Sequence, residues 1–222
     1  MNLPYGLVTD ALYWIAYLVY AMLLGWAIWT APWSAMKKDS RRLHVFLGST
    51  VFLLVIWQMS AGLDPGLSYH LLGGTLFVLM FGWELAFIGI SLVLLGSTIN
   101  GAGDFAALGL NGILMIAVPV FFSYGMLRFA VRFLPHHFFV YVMGNGFFAG
   151  GLSMLLTVGV ASFVMVCCGG YTYQMLRDTY LPFAPLMTFA EAFFTGMLAA
   201  SMALFRPDWI VTFDDRRYLA GK

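Results

Sequence analysis

Long apolar runs separated by short polar breaks organise this chain. In the stretch "GLVTDALYWIAYLVYAMLLGWAIWTA" (6–31) the only charged residue is Asp10. A surface helix of a soluble protein opposes an apolar stripe to a polar face, whereas a helix that is apolar all round is surrounded by protein or lipid. The breaks divide the sequence into seven spans at about 7–31, 43–61, 68–82, 84–99, 111–134, 138–166 and 182–205. A full crossing takes roughly 20 apolar residues, so the third and fourth spans are short. The turn "FGWEL" (81–85) joins them, and the pair is expected to form a helical hairpin packed against longer neighbours. "GFFAG" (146–150) carries Gly146 and Gly150 in a small-xxx-small spacing that lets helix backbones approach closely in lipid. The expected fold is therefore an all-α integral membrane protein. It is a seven-helix transmembrane bundle filling residues 1–222 as one domain, without linker or low-complexity segment.

Composition agrees with that pattern and narrows it. Of 222 residues, 62% are hydrophobic and 9% charged, against roughly 25% charged in an average soluble domain. A net charge of +1 leaves no basic face to neutralise phosphates, so nucleic acid is excluded as a partner and the lipid bilayer is the expected one. With seven spans, Lys37, Lys38, Arg41, Arg42, Arg128, Arg132, Arg206, Arg216, Arg217 and Lys222 all fall on one side, and only Arg177 on the other. Basic residues concentrate on the cytoplasmic side of membrane proteins. The N-terminus is thus expected outside and the C-terminus in the cytoplasm, in a multi-pass protein of the cell inner membrane. No lysine or arginine precedes Lys37, so the first run lacks the basic start of a signal peptide and is expected to persist as a span.

Few polar residues are positioned for chemistry. Ionisable groups inside a membrane are costly and are functional candidates by default. Glu191, in "MTFAEAFFTGMLAA" (187–200), lies near the middle of the last span. It is either an ion-path group or a packing carboxyl, protonated or hydrogen-bonded to a neighbouring Ser or Thr. His70, in "GLSYHLLGGTL" (66–76), lies just inside the third span on the outer side; it is either a satisfied interfacial histidine or a ligand, imidazole being the commonest side-chain ligand of transition metals. The outer loop "STINGAGDFAALGLN" (97–111) carries Asp104 and Asn111 as path or lid residues. Asp10 and Glu84 read as interfacial, Arg128 and Arg132 as snorkelling cations, and His136 and His137 as a solvated cytoplasmic pair. Adjacent Cys167 and Cys168 match no metal or redox spacing and are expected as small buried fillers. The tail 206–222 is expected to be solvated, with docking the alternative. No nucleotide-binding GxxxxGK[ST] pattern and no hydrolase motif occurs, so the chain is not expected to be an enzyme or to hydrolyse ATP alone.

Three stretches together resemble the substrate-binding permeases of cobalt and nickel energy-coupling-factor transporters, the CbiM/NikM-like family. "MNLPYG" resembles that family's opening Met-His-Ile-Pro-x-Gly. "SYHLLGGTL" with "GDFAALGLNGILM" resembles its histidine-glycine segment and its Gly-Asp-x-x-x-Leu-Gly-x-Asn block, and "AEAFFTGMLAA" its glutamate-bearing last helix. The resemblance implies a seven-helix permease whose amino terminus enters the bundle from outside. It also implies nitrogen ligands for a transported Ni²⁺, Co²⁺ or Cu²⁺ ion: the amine of Met1, the backbone amide of residue 2 and the imidazole of His70. Such a set suits square-planar Ni(II) or Cu(II). No tightly bound cofactor is implied, and the implied partners are a transmembrane coupling subunit and ATPase subunits. The sequence departs from the pattern at position two, where Asn2 replaces a histidine and removes one imidazole. Water or a thioether then completes the site, the substrate differs, or transport is lost. The expected function is the substrate-capturing component of a divalent transition-metal uptake system. The alternatives are a non-transporting accessory subunit of a larger membrane complex and a permease for a small organic solute.

Overall fold

The structure, a computed structural model, describes residues 3–62, 67–168, 170–214 and 218. Helices account for nearly all of it: α1 (Asp10–Thr30), α2 (Trp33–Lys38), α3 (Ser40–Gln58), α4 (Gly74–Phe81), α5 (Trp83–Ile99), α6 (Phe105–Phe133), α7 (Phe138–Cys167), α8 (Tyr173–Thr179) and α9 (Leu181–Phe205). A short antiparallel pair, β1 (Ala61–Gly62) with β2 (Ser68–Tyr69), is the sole sheet among the described residues. Five helices, α1, α3, α6, α7 and α9, are long and apolar enough to cross a membrane, and α5 is a shorter apolar helix of 17 residues. The third expected span differs from its prediction. Only Gly74–Phe81 is helical, and the chain before it, including His70, is not helical.

Local signals set several helix starts. Asp39 accepts the N–H groups of Arg41 at 3.0 Å and Arg42 at 3.4 Å and so caps α3. His137 is not simply solvated: its Nδ1 accepts the N–H of Phe139 at 3.0 Å at the start of α7. π-helical turns interrupt α6 at Ile113–Ala117 and α7 at Tyr141–Phe148. The polarity of the molecule is inverted relative to a soluble protein. Trp14, Trp29, Phe163 and Phe205 are exposed, while Thr75, Ser153, Thr195 and Glu191 are buried. Lipid is the solvent that favours such a distribution, because it leaves apolar surface uncharged for hydration and forces polar groups to pair internally.

Small residues bring the helices together. A side chain at Gly150 would stand 3.1 Å from Thr195 Cβ, and one at Gly146 would stand 3.2 Å from Gly196 Cα, so the expected spacing does seat α7 against α9. On the other flank, a Cβ at Gly112 would meet the Tyr20 ring at 2.4 Å, which fixes α6 against α1. Cys167 is exposed and Cys168 half-buried, rather than buried fillers. Adjacent positions at the end of a helix cannot both face inward.

The short helix α4 sits at the centre, with all eight residues buried against α5, α6, α7 and α9. A buried helix end needs partners for its unpaired backbone groups. At its C-terminal end, the Val211 N–H donates to the Met80 carbonyl at 3.1 Å, and the Thr212 hydroxyl donates to the Leu79 carbonyl at 2.7 Å. Those donors belong to the segment after α9. The beginning of the tail is therefore docked rather than solvated, and Phe213 packs on the Tyr141 ring at 5.0 Å. At the other end of α4, the partner is Glu191.

Candidate functional site

The chain reaches α4 through Tyr69, His70, Leu71, Leu72 and Gly73. Gly73 takes a left-handed conformation at φ 70°, which residues with a Cβ adopt at a cost. A Cβ there would also lie 2.7 Å from Leu53 Cδ1. The glycine thus permits both the bend and the close approach to α3. The next glycine, Gly74, faces Pro119 of α6 at 3.0 Å from a notional Cβ.

Glu191 holds this bend. Its Oε2 accepts the Leu72 N–H and its Oε1 accepts the Gly73 N–H, each at 2.8 Å. The carboxyl is fully buried. The partner differs from the expected Ser or Thr for a physical reason. The N-terminus of a buried helix presents amides without acceptors and a positive dipole end, and a carboxylate answers both. The neighbouring hydroxyls form their own group: Thr75 bonds Ser123 at 2.7 Å and Ser153 at 3.0 Å.

His70 lies beside that latch and is 2% exposed. Its Nδ1 is 3.1 Å from the Leu71 carbonyl, an oxygen that only accepts, so Nδ1 carries the proton. Nε2 then presents a lone pair, is buried, and has no hydrogen-bond partner among the described residues. Metal-binding histidines have this arrangement, with one ring N–H fixed by a carbonyl and the other nitrogen free. Trp57 completes the cradle. Its ring lies 4.5 Å from the imidazole, and its Nε1–H donates to the Leu72 carbonyl at 3.3 Å. Tyr69 stacks on Tyr180 at 4.4 Å and donates its hydroxyl to the Tyr180 carbonyl at 3.0 Å. Sequence reasoning missed Trp57 and Tyr180, since an aromatic residue near a span end carries no local mark of such a role.

Asn111 is likewise a holding residue. Its Oδ1 accepts the Leu3 N–H at 2.8 Å, and its Nδ2 donates to the Leu3 carbonyl at 3.0 Å. Leu3 is 1% exposed. Tyr13 secures the following residues: its hydroxyl donates to the Pro4 carbonyl at 2.9 Å and accepts the Leu7 N–H at 3.3 Å. The N-terminal segment from Leu3 is therefore tied into the bundle. Met1 and Asn2, the other expected ligands, lie outside the described residues. Asp104 serves a different local purpose: it is exposed and accepts the Ala106 N–H at 2.9 Å at the start of α6. Among the described residues no three His, Cys, Asp or Glu side chains converge as a metal site.

Comparisons with known proteins identify the family and the fold. A family model described as CbiM, the cobalt uptake substrate-specific transmembrane region, matches residues 2–209. A solved structure titled as a transition metal transporter aligns with a TM-score of 0.76 at 17% identity, covering 92% of this chain and 93% of the other. A second, titled as a truncated transition metal transporter, aligns with a TM-score of 0.74 at 18% identity, covering 92% of this chain and 98% of that one. No curated protein matches.

Proposed function

Because the chain belongs to the CbiM family, the substrate-specific transmembrane proteins of cobalt uptake, we propose that it captures a divalent transition-metal ion at His70. The chain is a multi-pass membrane component of metal uptake, and Nε2 of His70 is its donor. The observation that carries this reading is the pairing of a fixed Nδ1–H with a buried, unpartnered Nε2. The Met1 amine and the Asn2 backbone amide are the further nitrogen donors in this reading. With an amide side chain rather than an imidazole at position two, water fills the remaining position, and affinity is lower than a second imidazole would give. Ni²⁺, Co²⁺ and Cu²⁺ all suit nitrogen donors. Glu191 and Asn111 act as positioning residues, holding the two segments from which the donors project.

In the membrane, seven crossings account best for the chain. Helix α4 supplies about 12 Å at 1.5 Å per residue, and the non-helical chain that enters the bundle through His70 and Gly73 carries the crossing further. Ten of eleven basic residues then lie on one side, which favours an outer N-terminus and a cytoplasmic C-terminus. The protein performs no catalytic step in this reading. A transmembrane coupling subunit and ATPase subunits supply the energy, since the chain has no nucleotide motif.

Uptake and equilibrium binding of radioactive nickel and cobalt, measured for wild type and His70→Ala, test the proposal. Loss of saturable binding in the variant is expected, while equal binding in both overturns the role of His70. Asn2→His is expected to tighten binding by adding an imidazole.

A further inference from the structure

A groove of 710 Å³ runs along the outside of the bundle between α3, α4 and α9. Phe52, Leu53, Leu76, Phe77, Phe194 and Leu198 make its walls apolar with the Ser49 hydroxyl among them, and its basic side chains stand at one end, Arg41 and His44 beside Trp209. Gly48 of α3 opens the middle, because a Cβ there would meet nothing within 4 Å. Beyond Arg41 the basic end continues into a second hollow of 340 Å³, which includes Lys38, Arg42, Asp39 and Asp208. Arg41 contacts Asp208 at 3.3 Å, but the two side chains are 72% and 45% exposed. An ion pair that open to solvent is worth little, so the guanidinium remains available to another anion.

We propose that this groove is a binding site for an anionic phospholipid. Its phosphate lies at Arg41 and His44, and an acyl chain lies along Gly48 toward Leu53. Two features select a lipid over a partner helix. Charge complementarity is confined to one end, as for a molecule with one anionic head and an apolar tail. The apolar wall from Arg41 to Leu53 is about 18 Å long at the helical rise of 1.5 Å per residue. That is near the depth of one leaflet, since the whole hydrocarbon core is roughly 30 Å, whereas a spanning helix needs a wall twice as long. Because Gly73 and Leu76 also line the groove, the lipid would rest on α4 and on the bend that joins it to His70. The site itself stands independently of the metal reading.

Native mass spectrometry of the full chain, released from nanodiscs of equal phosphatidylglycerol and phosphatidylcholine, tests this. Wild type is expected to retain phosphatidylglycerol preferentially. Arg41→Gln should reduce that preference about fivefold, as a basic residue near the surface attracts anionic lipid by about 1 kcal/mol. Gly48→Phe should displace lipid of both kinds, whereas Leu47→Phe, on the same helix but outside the groove, should retain it. Equal retention of the two lipids by wild type, or unchanged retention in Gly48→Phe, overturns the proposal. Crosslinking of a Gly48→Cys variant to a polypeptide rather than to lipid overturns it too, and gives the groove to a partner helix. Should Gly48→Phe fail to fold, the double variant Arg41→Gln/His44→Gln decides: an unchanged preference refutes the site.

Discussion

Two stretches of non-helical chain are held inside the bundle, and in each a polar side chain pairs with the backbone in a different way. At Leu3, Asn111 gives an N–H and takes an N–H, pairing with both backbone groups of a single residue. At Leu72 and Gly73, Glu191 only accepts, taking two consecutive N–H groups on its two oxygens. The difference follows from what each segment leaves unpaired. An isolated extended residue exposes one donor and one acceptor, and a carboxamide is their complement. The approach to the helix N-terminus leaves two consecutive donors, with the carbonyl between them taken by the Trp57 Nε1–H, so an acceptor-only carboxylate fits, helped by the positive end of the dipole. Each latch therefore records the local geometry of the segment it holds.

Substitutions that exchange or remove the latches break the comparison in a graded way. Glu191→Ala strands two buried amides and is expected to cost about 4 kcal/mol, at roughly 1–3 kcal/mol for each unsatisfied group. Thermal unfolding in detergent would measure it, and a loss below that for Asn111→Ala would refute the ranking. The charge-exchanging pair comes next. Asn111→Asp places a carboxylate against the Leu3 carbonyl, and Glu191→Gln turns an NH₂ toward a backbone N–H. Each is expected to cost about 2 kcal/mol, because one buried pair becomes donor-to-donor or acceptor-to-acceptor. If Glu191→Gln unfolds at the wild-type temperature, the argument from acceptor capacity fails.

Gly73→Ala sharpens the comparison from the backbone side. A left-handed conformation costs a residue with a Cβ roughly 1–2 kcal/mol, and Leu53 must also move. Lower stability is therefore expected, together with weaker nickel or cobalt binding, because the bend orients His70. Trp57→Phe has the smallest expected effect on stability, about 1 kcal/mol for one lost hydrogen bond. It keeps the ring against the imidazole but frees the Leu72 carbonyl. An unchanged melting temperature together with unchanged metal affinity would show that the Nε1 bond contributes nothing to the site.

Much of this was legible in the sequence because it is encoded locally. The seven apolar stretches all contain helices, and Gly146 and Gly150 do seat one helix on another. His70 was singled out by its place just inside a span on the outer side and by the family resemblance, not by composition. What was not legible depends on partners far away along the chain. Glu191 looked like an intramembrane acid with a Ser or Thr neighbour, yet its partners lie 118 and 119 residues earlier. Asn111 looked like a loop residue, yet it binds a residue 108 positions away. The tail looked solvated because its charges fit water, yet its backbone completes the far end of α4.

By itself the sequence determined the solvent and the helices, because hydropathy and periodicity act over a turn or a bilayer thickness. The tertiary structure alone decided that α4 is only eight residues long and buried at both ends. Once a helix ends inside the bundle, its unpaired amides and carbonyls must find partners wherever packing brings them. Here packing brought a carboxylate from α9 to one end and the segment after α9 to the other.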